Sequence, residues 1–249
     1  RSAAIVTFAA TERQLPDIVE ALLRLRVPNS LELLRWIVKQ AMPEPMHLRL
    51  LGVAGDPSDL PALLAWLVRA DESPMLAAAA CDAMGSLGLV DAIDPLIDAW
   101  GRQPELLCGA ALALERITGA PLFHPPSDDA DGPEVGALIT EAATWKAWWA
   151  EHKGAFGGHK YRFGQPFSSL ASLAELAGEG VATSVRVDCA FELALLSGGA
   201  IPLLDVHDWT ARQAERLGAL QASLPKDRRG RPLLGAPGEW PDRLLERRG

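Results

Sequence analysis

Side chains that could bind a metal ion lie too far apart in this sequence to form a typical site. The acidic stretch from Ser127 to Gly132 is similar to a calcium-binding loop in its Asp-x-Asp-Gly core. The twelfth position of that loop is Leu138, which cannot supply the bidentate carboxylate that calcium requires. Zinc ligands come in pairs about two to four residues apart, whereas Cys81, Cys108 and Cys189 are widely separated and the 5 histidines are scattered singly. We therefore expect no metal and no cofactor.

Motifs of nucleophilic and phosphate-binding enzymes are also incomplete. Gly85-Ser86-Leu87-Gly88 departs from the Gly-x-Ser-x-Gly elbow that exposes a nucleophilic serine after a strand. The glycine-rich turn at 154–158 lacks the Gly-Lys-Ser/Thr ending of a phosphate-binding loop. The chain is therefore predicted not to be an enzyme.

One enzymatic alternative stays open, a helical-repeat nucleic-acid enzyme of the DNA glycosylase type, because the chain has 8 tryptophans. Such an enzyme would hold a nucleoside with an indole and a carboxylate, and would need a basic concave face for the nucleic-acid backbone. The formal net charge is −8, with 24 basic against 32 acidic residues, so the chain repels phosphate backbones and anionic membrane surfaces. We therefore expect a protein partner, with no membrane partner and with nucleic acid disfavoured. A structural module of a larger protein is a third possibility.

The composition favours α-helix at almost every position. The 249 residues include 40 alanines and 39 leucines but a single tyrosine, and β-branched residues are few. The expected fold class is therefore all-α. The three cysteines lie in apolar helical stretches, as is typical of reduced thiols, and no segment has the ~18 apolar residues of a membrane span. Both features predict a cytoplasmic location.

The middle of the chain contains a repeated pair of helices. The stretch from Leu60 to Trp66 recurs from Asp94 to Trp100, with proline, alanine and tryptophan at the same places. Each copy is followed by a helix that a proline begins, Pro74 in the first copy and Pro104 in the second. The apolar residues of these two helices recur at spacings of about three, four and seven, which marks one buried helix face. The pattern predicts tandem helix–turn–helix units.

These units resemble the HEAT-like repeat. The stretch from Leu51 to Leu64, in which Gly55-Asp56-Pro57 caps the outer helix, is similar to the opening of such a repeat. The stretch from Ala79 to Gly85 is similar to its inner helix. The resemblance implies an α-solenoid of HEAT-like helical hairpins over residues 1–120. Such a solenoid lines a concave groove with the second helix of each hairpin, and commonly binds another protein there.

A scattered set of residues in the second half forms a further pattern: Tyr161, Phe163-Gly164-Gln165-Pro166, Gly180, Arg186, Cys189-Ala190, Glu192 to Leu195 and Arg212-Gln213. Together with the repeats, this set resembles an uncharacterised family of proteobacterial HEAT-repeat proteins. Relatives in that family lie near genes for type VI secretion components and their toxic effectors. The resemblance implies an immunity protein or adaptor whose protein partner is a secreted toxin or effector.

Composition divides the rest of the chain into three segments. Residues 121–136 are rich in proline, glycine and acidic side chains, and are predicted to form an exposed acidic loop. Residues 137–224 are predicted to form a helical carboxy-terminal cap, with helices from Thr183 to Leu196 and from Thr210 to Ala222. Residues 225–249 form a basic tail against an otherwise acidic body.

Several candidate partner-binding residues follow from this arrangement: Asp82, Ser86, Glu115, Arg116, Trp145, Trp149 and Glu192. The first four belong to the predicted inner helices, and the carboxylates would match the Lys and Arg residues of a basic toxin. Three indoles within residues 145–149 cannot all face one side of a helix, so an exposed indole is expected to bind the partner. The alternative is that this indole packs against the loop at 121–136.

Overall fold

A computed structural model describes residues 15–40, 43–102, 106–120, 139, 141–158, 160–167, 172, 175–176, 183–196 and 215. Most of these residues are helical, which confirms the all-α expectation. The nine described α-helices are α1 (Leu15–Arg24), α2 (Ser30–Gln40), α3 (Pro45–Ala54), α4 (Leu60–Leu67), α5 (Pro74–Leu87), α6 (Ile93–Arg102), α7 (Leu107–Thr118), α8 (Ala142–His152) and α9 (Thr183–Leu196). One-turn 3-10 helices lie at Pro57–Asp59, Val90–Ala92 and Lys153–Ala155, and β1 (Tyr161–Arg162) pairs with β2 (Gln165–Pro166) in an antiparallel hairpin.

Helices α3, α5 and α7 pack side by side as a central layer, with α5 in the middle. Their backbones approach closely because glycine and alanine lie at the contacts. A Cβ atom built on Gly52 would lie 2.4 Å from the Ala83 carbonyl oxygen, and one built on Gly85 would lie 2.9 Å from Ala113 Cα. Small residues at a crossing allow this short separation between helix axes.

Helices α2, α4 and α6 cover one side of the central layer. Each packs against the central helix that follows it in the chain, α2 on α3, α4 on α5 and α6 on α7. Indole side chains join these outer helices to their neighbours. Trp66 Nε1 of α4 donates to the Val38 carbonyl oxygen of α2 at 3.1 Å, and the Trp100 ring of α6 lies 5.6 Å from the Trp145 ring of α8. The repeated tryptophans therefore hold packing positions.

The turn before α4 begins with the predicted cap. The Asp56 carboxylate accepts a hydrogen bond from the Ser58 amide at 2.7 Å at the start of Pro57–Asp59, which satisfies an amide that the helix leaves unpaired. Arg35 of α2 reaches this turn and donates to Asp56 and to Asp59, each at 2.8 Å. The cap before α4 therefore also attaches α4 to α2.

The hairpin β1–β2 docks on the carboxy-terminal ends of α5 and α7. The Tyr161 amide donates to the Gly88 carbonyl oxygen at 2.8 Å, just beyond α5. At the hairpin turn, the Phe163 amide donates to the Arg116 oxygen at 2.7 Å and the Gly164 amide to the Ile117 oxygen at 3.0 Å. The last carbonyls of a helix have no partner within the helix, so the hairpin satisfies groups that would otherwise need water.

We expect Phe163→Asn to raise the free energy of unfolding by about 1 kcal/mol, because the left-handed backbone region costs most L-residues ~1–2 kcal/mol and asparagine tolerates it. Phe163 has a φ of 50° and is 45% exposed, so its ring contributes limited packing. Urea denaturation measures the change. As a control, Gly164→Ala should destabilise the protein, since a Cβ there would lie 2.5 Å from the Thr118 carbonyl oxygen. A destabilised F163N variant would show that the Phe163 ring matters more than its exposure indicates.

Helix α9 packs against α1 and α3. The Arg26 guanidinium donates to the Leu195 carbonyl oxygen at 2.7 Å, and Arg49 of α3 pairs with Asp188 of α9 at 2.9 Å. The predicted acidic loop, the helix from Thr210 to Ala222 and the basic tail lie outside the described residues, apart from Glu215. No helix among those described is long and apolar enough to cross a membrane.

Candidate functional site

The candidate site is the side of α3, α5 and α7 that faces away from α2, α4 and α6, which we call the inner face. Successive residues of an α-helix are about 100° apart, so residues two positions apart lie on nearly opposite sides. Met84 and Leu114 point into the fully buried core. Ser86 and Arg116, two positions further along each helix, therefore lie on the inner face. At the carboxy-terminal ends of α5 and α7 this face is covered, and we call that region the closed end. The rest of the face, towards the amino-terminal ends of the two helices, is the open part.

A buried ionic cluster fills the closed end. Its members are Arg116, Lys160, Arg162, Glu175 and Glu192, together with Ser86, Ser172 and Cys189. Lys160 Nζ lies 2.6 Å from Glu192 Oε1, and Arg162 Nη2 lies 3.1 Å from Glu192 Oε2. Arg116 Nε lies 2.9 Å from Glu175 Oε1, and Arg162 also pairs with Glu175. The cluster therefore joins α7, the hairpin and α9 in one network.

Three cations face two carboxylates in this cluster, which leaves one positive charge in excess. The carboxy-terminal ends of α5 and α7 compensate for part of this excess. Helix carboxy termini carry partial negative charge from their unpaired carbonyls, which favours a nearby cation. Arg162 Nη2 lies 3.5 Å from the Ser86 carbonyl oxygen in the last turn of α5. Arg116 belongs to the last turn of α7 itself. The hairpin thus brings buried cations to the place where two helix termini favour them.

The ionic cluster is removed from solvent. The side chains of Lys160 and Arg162 are 0% exposed, and those of Glu175 and Glu192 are 2% and 1% exposed. Burial lowers the pKa of Lys160 to about 8 despite the neighbouring Glu192. Cys189 donates to Glu175 Oε2 at 3.0 Å, and burial raises the pKa of its thiol. A buried thiol that stays protonated is a poor nucleophile.

The low pKa of Glu192 predicts a loss of stability in acid. Burial alone would raise this pKa, but Arg162 and Lys160 outweigh burial and hold it at about 2, against an ordinary value of 4.5. Between these pH values the unfolded chain binds a proton that the folded chain does not, so the stabilisation by Glu192 is lost as the pH falls.

We expect the stability difference between the wild type and Glu192→Gln to narrow by at most about 1.4 kcal/mol per pH unit as the pH falls from about 4.5 towards 2. Urea denaturation of both proteins across this range measures the difference. Asp188, whose pKa burial raises despite Arg49, is present in both proteins and cancels in the comparison. A difference that is constant with pH would contradict the low pKa of Glu192.

The open part of the inner face carries exposed apolar side chains beside carboxylates. Met75 on α5 is 72% exposed and Leu112 on α7 is 52% exposed. Asp82 is exposed and lies seven residues after Met75, on the same helix face. Glu115 is half-buried one turn after Leu112, and Cys108 is exposed one turn before it. Two neighbouring helices therefore present apolar and acidic groups together.

The two carboxylates of the open part have raised pKa values. Burial raises the pKa of Asp82 more than Arg49 and Arg116 lower it, and burial raises the pKa of Glu115. Within the ranges that the structure describes, neither carboxylate forms an ion pair. A cation brought by a binding partner would therefore stabilise them.

The structure separates the seven predicted partner-binding residues into three groups. Asp82 and Glu115 lie on the open part, as expected for inner helices. Ser86, Arg116 and Glu192 are buried in the ionic cluster, so the surface open to a partner does not include them. This placement corrects the expectation that Glu192 faces a toxin, because Lys160 and Arg162 of the same chain neutralise it.

The two predicted indoles are also buried. Trp145 is 3% and Trp149 is 6% exposed, because α8 packs on α6. Trp148 is the half-buried one of the three, and its ring stacks on His152 at 4.3 Å. The loop at 121–136, their alternative packing partner, lies outside the described residues. Trp145 and Trp149 therefore contribute to packing rather than to an open surface.

Sequence reasoning misses four residues of the site: Met75 and Leu112 on the inner face, and Lys160 and Arg162, which cover its closed end. A signal for the last two exists, because Lys160 and Arg162 alternate with Tyr161 and Phe163, and alternation with a period of two is typical of a strand. Met75 and Leu112 carry no such signal. Both fit the apolar composition of a buried helix, and only the packing leaves them exposed.

Known proteins add no assignment to this site. No family model, curated protein or solved structure matches the chain. In the described part of the chain, no group of three or more His, Cys, Asp or Glu side chains is placed to hold a metal ion.

Proposed function

We propose that this chain is a non-enzymatic, protein-binding α-solenoid of HEAT-like hairpins that acts in the cytoplasm as an immunity protein or adaptor for a type VI secretion effector. The pairs α2–α3, α4–α5 and α6–α7 would be its hairpins, and α8, the β-hairpin and α9 would belong to its carboxy-terminal cap. The family resemblance and the acidic charge support the choice of a toxic effector as the partner.

The observation that carries this proposal is the open part of the inner face. Large apolar side chains that stay exposed together on neighbouring elements are typical of a protein-binding surface. Met75 and Leu112 are exposed on neighbouring helices of one layer. The reactive groups of the closed end, the Lys160 amine and the Cys189 thiol, are buried and support no catalytic role.

The alternative is a helical-repeat enzyme of the DNA glycosylase type, which predicts an indole beside a carboxylate on a basic face. The described tryptophans belong to α2, α4, α6 and α8, whereas the open carboxylates Asp82 and Glu115 lie on the inner face of α5 and α7. No specific observation favours this alternative, which stays a prediction for a nucleic-acid binding screen.

Capture of the partner from the native host tests the proposal. The tagged chain is used as bait at moderate salt, and bound proteins are identified by mass spectrometry. We expect one stoichiometric partner whose gene lies beside that of the bait. The Met75→Asp/Leu112→Asp variant should lose this partner. A matched control, Leu25→Asp/Val68→Asp, changes two side chains that are each 76% exposed and lie outside α5 and α7, and it should keep the partner.

Two results would count against the proposal. If no product of a neighbouring gene is recovered, the immunity or adaptor role fails. If the M75D/L112D variant captures the same partner as well as the wild type does, binding takes place elsewhere and the inner face is not the binding surface. Circular dichroism of both variants establishes that each one is folded.

A further inference from the structure

We propose that the open part of the inner face binds a single amphipathic α-helix of the partner, with two apolar anchors about two turns apart that are flanked by lysine or arginine. This inference rests on the proposed protein-binding function and names the chemical class of the bound segment. One apolar anchor would contact Met75 and the other would contact Leu112, and the flanking cations would face Asp82 and Glu115.

The dimensions of the open part fit one helix. Met75 and Asp82 are two turns apart on α5, which corresponds to about 10 Å at ~1.5 Å per residue. Neighbouring packed helices such as α5 and α7 are separated by about 8–10 Å. An α-helix with its side chains is ~10–12 Å wide. Arg116 of α7 reaches Ser86 of α5, 30 residues earlier, so Leu112 lies level with Asp82 and about two turns beyond Met75. A partner helix that crosses from α5 to α7 would contact both apolar side chains, as in the helix-in-groove mode of recognition.

The charges of the open part favour a cationic partner. The nearest cations on the inner face already have partners, since Arg49 pairs with Asp188 and Arg116 pairs with Glu175. Asp82, which is exposed, and Glu115, which is half-buried, thus remain as negative groups without an ion pair within the described ranges. Docking of an apolar anchor would remove more water, so each carboxylate would need a compensating cation from the partner.

Other occupants fit this surface less well. A second copy of the chain that docked by the same face would oppose Asp82 and Glu115 with identical carboxylates, because a two-fold interface pairs a surface with itself. Nucleic acid would bring phosphates to the same two groups. A cationic amphipathic helix is the occupant whose charge and shape both match.

Designed peptides test the inference on the full chain. The probes are fluorescein-labelled helical peptides of about five turns with two leucine, methionine or phenylalanine anchors about two turns apart. Each is made in two versions, with lysine or with glutamate around the anchors. Fluorescence anisotropy measures binding at low and moderate salt. We expect the lysine version of at least one anchor to bind and every glutamate version to fail.

Matched variants separate a specific site from general attraction to an acidic protein. Asp82→Asn/Glu115→Gln should weaken binding of the lysine peptide by about tenfold, whereas Glu72→Gln/Glu151→Gln, with the same change in net charge, should change it less than twofold. M75D/L112D should weaken binding of every anchor. Equal weakening by both neutralising variants would overturn the inference, as would a failure of all lysine peptides to bind.

This test and the capture from the host fail in different ways. If the wild-type chain captures a neighbour's product and D82N/E115Q captures it equally well, the cationic-helix inference is wrong while the binding function stands. If the host provides no such partner, the proposed function itself fails.

Discussion

Glu192→Gln is expected to lower the free energy of unfolding by about 3–5 kcal/mol, the usual effect of removing one charge from a buried ion pair. Glu192 is 1% exposed, and its carboxylate accepts hydrogen bonds from Lys160 at 2.6 Å and from Arg162 at 3.1 Å. An amide keeps the shape of the side chain but leaves both cations buried without their counter-charge. Since small domains are stable by only about 5–15 kcal/mol, this single change removes a large part of the total.

Urea denaturation at neutral pH measures the effect of E192Q. Glu72→Gln is the control, because Glu72 is exposed and its oxygen lies 3.9 Å from Arg69, so we expect a change within about 0.5 kcal/mol. If E192Q does not fold at all, Ser172→Ala is the milder variant. Ser172 donates to Glu192 and is fully buried, so its loss should cost about 1–2 kcal/mol. If these variants were as stable as the wild type, the claim that Glu192 stabilises the fold through the ionic cluster would be wrong.

Gly52→Ala is expected to destabilise the chain by about 2–3 kcal/mol, although alanine favours a helix over glycine by ~1 kcal/mol. The added Cβ would lie 2.4 Å from the Ala83 oxygen, 2.5 Å from its Cα and 2.7 Å from its carbonyl carbon. These are backbone atoms of α5, so no side chain can rotate away. Helices α3 and α5 would have to separate, and the contacts of the central layer would weaken.

Thermal and urea denaturation of G52A are compared with those of Gly154→Ala. A Cβ at Gly154 would have nothing within 4 Å, so this control should change stability by less than about 0.5 kcal/mol. Equal stability of the two variants would show that α3 and α5 are not in direct backbone contact at Gly52.

The local part of this fold follows from the sequence. Helix α9 spans Thr183–Leu196, which are the predicted bounds, and α5 begins at Pro74 as predicted. Both results have one cause, because helix propensity, apolar periodicity and proline position act within a few residues of each other. The same local rules place Asp82 and Glu115 on the inner side of their helices before any packing is known.

Long-range contacts decided which of these residues remain open. Lys160 and Glu192 are 32 residues apart, Arg116 and Glu175 are 59 apart, and Arg49 and Asp188 are 139 apart. Such pairs cannot be predicted from neighbouring residues. A charged side chain has the same local sequence pattern whether it is exposed to water or paired with a buried partner. The alternation over residues 160–163 predicts a strand, but it does not show that the hairpin docks on α5 and α7.

By itself, the sequence determined the all-α class, the positions of the main helices and the acidic character of the chain, because propensity, periodicity and charge are properties of neighbouring residues. Only the tertiary structure decided that Glu192, Ser86 and Arg116 are buried while Met75 and Leu112 are exposed. The physical reason is that burial depends on which distant segment covers a helix face. Here the hairpin and α9 cover one end of the inner face and leave the other end open.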